Sequence, residues 1–292
     1  MKRVRNIGFL LIGAALCFAS CTSEKELANK FVEKFSIRSY TPTERIYVCL
    51  PTSVVHTNQT LNQMENFADL DYETQDSVIA AHTSILNTID DKIFLQQFND
   101  NLLYHLKRFG IPVAVVTDPA NMPKAVANKI FTLHILQIEA EEFVKKSRSD
   151  FEDNTNKMYY YYDYDLKGFS TNVWYLINDT TSATDPKDVY FKNFETIEKF
   201  EGTINEIKNN VAHGKGTISK LTANDAYIEA YRAGAISADK FCEKIINDYV
   251  KSNIKSIPSY YYYYSPVSKT ITPMDYQYYK DHDTFMKMET AE

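Results

Sequence analysis

The sequence predicts an α/β fold. A single domain holds a mixed sheet flanked by helices, with a short segment in front and an irregular tyrosine-rich tail behind. Three observations carry this prediction. Arg45 to Leu50 is a compact apolar run stopped by Pro51, the pattern of a buried strand. Between residues 91 and 109, Phe94, Phe98, Leu102 and Leu106 recur at helical spacing and make one apolar stripe. Directly after Gly110 comes Ile111 to Thr117, a second continuous apolar strand. Strand, helix, glycine, strand is the order of a βαβ unit with a right-handed crossover.

Composition agrees. The chain has 292 residues, 44% hydrophobic and 24% charged, with a mean hydropathy of −0.37, as expected of a globular protein with enough apolar mass for a sizeable core. The formal charge of −6 argues against a nucleic-acid partner, which would need a basic footprint.

The remaining elements follow in order. Residues 24 to 44 read as a tether with a short amphipathic helix, because Leu27, Phe31 and Phe35 recur every four residues. Thr52 to Asp71 is polar and lacks a period, so it reads as a long connection. A helix is expected from Tyr72 to Ile89 and a second from Asp91 to Phe109, started by Asp90 or Asp91 and ended by Gly110 in a left-handed cap. Ile130 to Val144 reads as a long strand whose far end leaves the core where Glu139, Glu141 and Glu142 intrude. Thr171 to Ile177 is a strand carrying Trp174, the single tryptophan, with Glu198 to Ile204 beside it. A capping box at Thr222 to Asp225 starts a helix that Gly234 closes. Ser237 then caps another, with Phe241, Ile245, Tyr249 and Val250 facing inward. The expected boundaries are 1–20, 21–44, 45–257 for the α/β domain and 258–292 for the tail.

The N-terminus stands apart from the fold. Lys2, Arg3 and Arg5 precede an uninterrupted run of apolar and glycine residues from Ile7 to Phe18, shorter than the roughly 20 residues a membrane span takes, and a secretory signal explains it better. The run ends in Phe18-Ala19-Ser20-Cys21. This string resembles the lipobox cut by the bacterial lipoprotein signal peptidase. Ala19, Ser20 and Cys21 match that pattern, while Phe18 stands where the family usually has leucine. Leu16 before Cys17 is too large for the small-residue position, so Cys21 is the expected lipidation site. Removal of residues 1–20 shifts the formal charge from −6 to −9. An acidic chain is repelled by anionic headgroups, so acyl chains on Cys21 must supply the membrane attachment, and two or more hold stably. Thr22 is not the aspartate that retains enteric lipoproteins on the inner membrane, so the resemblance implies an outer-membrane address.

Of the four cysteines, Cys17 leaves with the signal and Cys21 is acylated. Cys49 and Cys242 remain, expected as small buried hydrophobes rather than a disulfide or zinc pair. His56, His82, His105, His134, His213 and His282 are scattered without metal-ligand spacing, and no cofactor is implied. His213-Gly214-Lys215-Gly216-Thr217 lacks the earlier glycine and preceding strand of a phosphate loop and reads as a tight turn. Glu139 and Glu141 share one strand face and could act as an acid/base pair or hold a cation. A charge cluster at a strand end also serves as a solvated edge that blocks strand addition. No other motif argues for an enzyme.

Tyrosine is the unusual feature. Of 22, five lie at Tyr159 to Tyr162 and Tyr164, five at Tyr260 to Tyr264, and three at Tyr276, Tyr278 and Tyr279. Tyr160, Tyr161, Tyr162, Tyr261, Tyr262 and Tyr263 are the candidate contact surface. Tyrosine combines a rigid apolar face with a hydroxyl, which suits protein or glycan contacts; the alternative is a structural sheet edge. Over Arg45 to Ile177 the pattern is similar to periplasmic α/β lipoproteins of Gram-negative bacteria, of the penicillin-binding-protein-activator and envelope-transport types. That resemblance implies a non-catalytic envelope lipoprotein that binds another envelope protein. A glycan-binding surface lipoprotein is the alternative and an envelope hydrolase the minor one.

Overall fold

The computed structural model describes residues 24–37, 44–59, 66–82, 85–127, 129–153, 155, 158–177, 189–195, 201–208, 211–217, 221–254, 260–265, 267–275 and 286–288. Cys21, and Tyr276, Tyr278 and Tyr279, lie outside them. The elements in chain order are α1 (Glu24–Ile37), β1 (Arg45–Cys49), β2 (Val55–Asn58), α2 (Tyr72–His82), α3 (Asp91–Arg108), β3 (Val113–Val116), β4 (Ile130–Asp153), β5 (Met158–Ile177), β6 (Val189–Glu195), β7 (Glu201–Lys208), β8 (Val211–Thr217), α4 (Ala223–Asn253), β9 (Tyr260–Ser265), β10 (Thr270–Asp275) and β11 (Met286–Lys287). The mixed parallel and antiparallel sheet with helices is the α/β class that the sequence predicts. The chain divides into two compact units, with the boundary inside α4.

The larger unit is built on a nine-stranded sheet. β1 lies between β3 and β4 and runs parallel to both. α3 forms where expected, with the Asp90 carboxylate accepting from the Lys92 and Ile93 amides and Gly110 at φ 97°. Phe94, Phe98, Leu102 and Leu106 are fully buried. The predicted strand–helix–strand unit is therefore present, with β1 and β3 adjacent.

Four expectations are corrected in this unit. First, the polar stretch Thr52 to Asp71 contains β2, which pairs in parallel with β4 at Glu139 to Glu142. A neighbouring strand supplies the backbone partners that hydrophobic periodicity cannot signal. Second, the predicted helix over residues 72–89 ends at His82, and Leu86–Thr88 forms a separate 3₁₀ turn. Third, β4 and β5 are far longer than read, at 24 and 20 residues. β5 absorbs both Tyr159 to Tyr164 and the Trp174 strand, β6 rather than residues 198–204 lies beside Trp174, and β7 pairs with the tyrosine end. Residues 213–217 are part of β8, not a tight turn.

Fourth, Gly234 does not close a helix. α4 runs unbroken for 31 residues, and Ser237 sits inside it, donating to the Ala233 carbonyl at 2.6 Å and meeting the Tyr175 hydroxyl at 2.6 Å. The glycine instead permits a close helix crossing, because a Cβ there would stand 2.3 Å from the Phe98 carbonyl oxygen. Helix α3 packs on one face of the sheet through Phe94 against Phe169, with ring centroids 6.2 Å apart. Tyr175 carries the Ser237 contact from that same face, since residues two apart on a strand share a side.

The smaller unit holds α1, the end of α4, and β9 paired antiparallel with β10. The C-terminal tail is thus not irregular where it is described. Alternation in β9 buries Tyr262 and Tyr264, and α4 satisfies the strand's free edge with side chains. The Asn247 carboxamide donates to the Tyr262 carbonyl and accepts from its amide, both at 3.0 Å. Glu243 accepts from the Tyr264 amide at 3.4 Å. In α1 the buried stripe is Ala28, Val32 and Phe35. Leu27 is exposed, so the apolar face is turned one residue from the expected one.

Candidate functional site

The sheet has a step. β1 pairs with β4 as far as Cys49 opposite His134, and β2 resumes that edge with Val55 opposite Glu139. Between them, residues 50–54 leave β4, while β4 itself carries a bulge between Ile135 and Gln137. A bulge redirects side chains and often borders a functional site. Here it places His134 and Gln137, three residues apart, on the same face. The result is a cleft of about 280 Å³ at the carboxyl ends of β1 and β3, bordered by Cys49, Thr52, Ser53, Thr117, His134 and Gln137, with Pro51, Val55 and Leu136 as apolar walls. Ends of parallel strands are where α/β sheets commonly hold ligands. Burial and the nearby Asp118 carboxylate push the Cys49 thiol's pKa up, so Cys49 stays a neutral thiol. Cys49 and Cys242 are both buried, as expected.

Beyond the cleft the same face carries Glu139 and Glu141. The far end of β4 was expected to leave the core; instead Glu139 and Glu141 are only 8% and 9% exposed. The reason is hydrogen bonding from both neighbouring strands. Glu139 accepts from the Thr57 hydroxyl and, at 3.5 Å, from the Gln137 carboxamide. Glu141 accepts from Gln59 at 2.8 Å, Ser170 at 3.0 Å and Asn172 at 2.8 Å. Asn172 in turn accepts from Asn193 at 2.6 Å. Glu142 points to the opposite face, is 2% exposed, and accepts from the Ile85 amide at 3.4 Å. The three glutamates therefore do not form one cluster. Among the described residues there is no group of three or more His, Cys, Asp or Glu that could hold a metal ion.

The tyrosines divide in the same way. In β5, side chains alternate across the sheet. On one face the Tyr159 and Tyr161 rings lie 6.0 Å apart. The Arg148 guanidinium sits 4.2 Å from the Tyr161 centroid and grips Asp163 with two hydrogen bonds, of 2.7 and 3.2 Å. That grip holds the Asp163 carboxyl below the usual carboxylate range. The Tyr159 hydroxyl donates to Asp150 at 2.8 Å. On the other face Tyr162 and Tyr164 are 6.4 Å apart, and the Lys208 ammonium lies 4.9 Å from the Tyr160 centroid. All five rings are exposed or half-buried. The second set behaves differently. Tyr262 is 1% exposed, a core residue whose hydroxyl donates to Asn29 at 3.0 Å, and this corrects its assignment to a contact surface. Tyr261 is half-buried with its hydroxyl 3.5 Å from Glu243, while Tyr263 is exposed.

Sequence reasoning missed the cleft and the pairing of Cys49 with His134, because strand register is invisible in composition. It could have marked Gln137, which with His134 is one of two polar residues in the otherwise apolar run Leu133 to Ile138. No protein-family model matches the chain, and no curated protein matches it. Among the described residues no helix is long and apolar enough to cross a membrane.

Proposed function

We propose that the chain is an outer-membrane-anchored envelope lipoprotein, held by acyl chains on Cys21, that acts as a non-catalytic, protein-binding accessory factor in envelope assembly, transport or synthesis. The observation that carries this reading is the tyrosine run of β5. Half-exposed rings tile both faces of the β4–β5–β7–β8 extension, clamped by Arg148 on one face and Lys208 on the other. Flat, rigid tyrosines beside arginine are the composition of protein-contact hot spots. A glycan groove would gather them on one concave side. Among the described residues β4 has no strand neighbour beyond Glu142 on its β2 side, and this edge carries Lys146 and Arg148. Charges there disfavour strand addition, so the partner is met by the faces.

The test combines two variants of the full-length chain. Cys21→Ala is expected to move the protein from the membrane to the soluble fraction, and a variant that stays membrane-bound contradicts the anchor. Tyr159→Ser with Tyr161→Ser is expected to reduce co-purification of a detergent-solubilised partner at least tenfold, with an unchanged thermal midpoint. Undiminished recovery contradicts the contact surface.

A further inference from the structure

We infer that the face of the larger unit's sheet opposite the one on which α3 packs, running from the step between β1 and β2 to β6, binds a neutral saccharide. The two carboxylates fix the orientation of the amides around it. The Gln137 carboxamide donates its NH₂ to Glu139 at 3.5 Å, and the Asn172 carboxamide likewise donates its NH₂ to Glu141 at 2.8 Å. The Asn172 oxygen then accepts from the Asn193 NH₂. Both inner amides are turned by this chain so that, among the described residues, the Gln137 and Asn193 carbonyl oxygens are the ends left for a ligand. Gln137 is exposed and Asn193 half-buried.

Between these two acceptors lies an aromatic platform. Trp174 is directly opposite Gln137 on β5, and Phe191 is directly opposite Trp174 on β6. Opposed residues share a face about 5 Å apart, and the two rings are half-buried with centroids 4.9 Å apart. On the other side of Gln137 the cleft adds the hydroxyls of Thr52, Ser53 and Thr117 and the His134 imidazole. No lysine or arginine borders the cleft, and two carboxylates lie behind the acceptors. The face therefore repels anions and offers oriented acceptors to O–H donors next to a ring surface for C–H groups. A neutral sugar has both features, whereas a phosphorylated or uronic acid ligand has the wrong charge. The cleft, at about 280 Å³, is just below the usual range of small-molecule sites, roughly 300–1,000 Å³. That suits a single sugar ring in the cleft with further rings on Trp174 and Phe191.

Trp174 is the chain's single tryptophan, so its fluorescence reports on this face alone. The full chain in detergent is titrated with malto-, cello-, chito- and mannohexaose, and with oligogalacturonate as the anionic control. Saturable fluorescence change with at least one neutral hexasaccharide and none with oligogalacturonate is expected. Gln137→Ala, at an exposed position, is expected to weaken that binding at least tenfold by calorimetry while leaving the thermal midpoint in place. No response to any of the four neutral sugars, equal binding of oligogalacturonate, or unchanged affinity in Gln137→Ala overturns the inference.

Discussion

Gly234→Ala is expected to destabilise the larger unit by about 3 kcal/mol, the upper range for inserting volume into a packed core. In an exposed helix the same change would stabilise by about 1 kcal/mol, because alanine has the better helix propensity. The sign is decided by what the new methyl meets. Its Cβ would lie 2.3 Å from the Phe98 carbonyl oxygen and 3.1 Å from the Leu102 nitrogen, backbone atoms that no rotamer change can move aside. Helices α3 and α4 would have to separate at their closest point. Separation strains the flanking contacts, in which the Asn101 carboxamide donates to the Tyr231 carbonyl at 2.6 Å and His105 meets Asp239 at 3.0 Å. Urea denaturation followed by circular dichroism measures the difference. A Gly234→Ala protein as stable as the parent contradicts the close crossing.

The second large effect is a pH dependence at Glu229. This residue is 3% exposed, one of its oxygens has no hydrogen-bond partner among the described residues, and the other lies 3.3 Å from Arg232. Burial outweighs the arginine and pushes the carboxyl pKa from 4.5 to about 7. The folded state therefore prefers the protonated acid. The stability this confers is fully present below the unfolded value near 4.5. It is lost as pH rises through the folded value near 7, and the loss is on the order of 3 kcal/mol. Glu229→Gln keeps the shape and removes the charge. It is expected to match the parent at pH 4 and to exceed it by about 3 kcal/mol at pH 8, read from urea midpoints at the two pH values. Parallel pH profiles for the two proteins contradict the assignment.

Much of the larger unit was legible because its signals are local. The α3 stripe, the Asp90 cap, Gly110 and the apolar strands on either side each follow from residues within one turn or strand of one another. What was not legible depends on partners distant in sequence. Gly234 has the composition of a helix stop, and only the approach of Phe98 shows it to be a contact point. Glu139 and Glu141 have the pattern of a solvated strand end, and it is Thr57, Gln59, Ser170 and Asn172 that hold them inside. Tyr262 and Tyr263 are neighbours of one type, yet the pleat and the Asn247 side chain send one to the core and leave the other exposed. The binding face arises from a bulge in β4 and an excursion between β1 and β2, and both are matters of register rather than residue type.

The proposal that the β5 tyrosines are a protein-contact surface is tested most directly by photocrosslinking in intact cells. A photoreactive phenylalanine analogue is placed at position 161 and, as a control, at position 72, where Tyr72 is 78% exposed on α2. The account predicts a discrete protein adduct from position 161 that is absent from position 72. Identical adducts from both positions, or none from position 161 under conditions where the analogue is incorporated, would contradict it.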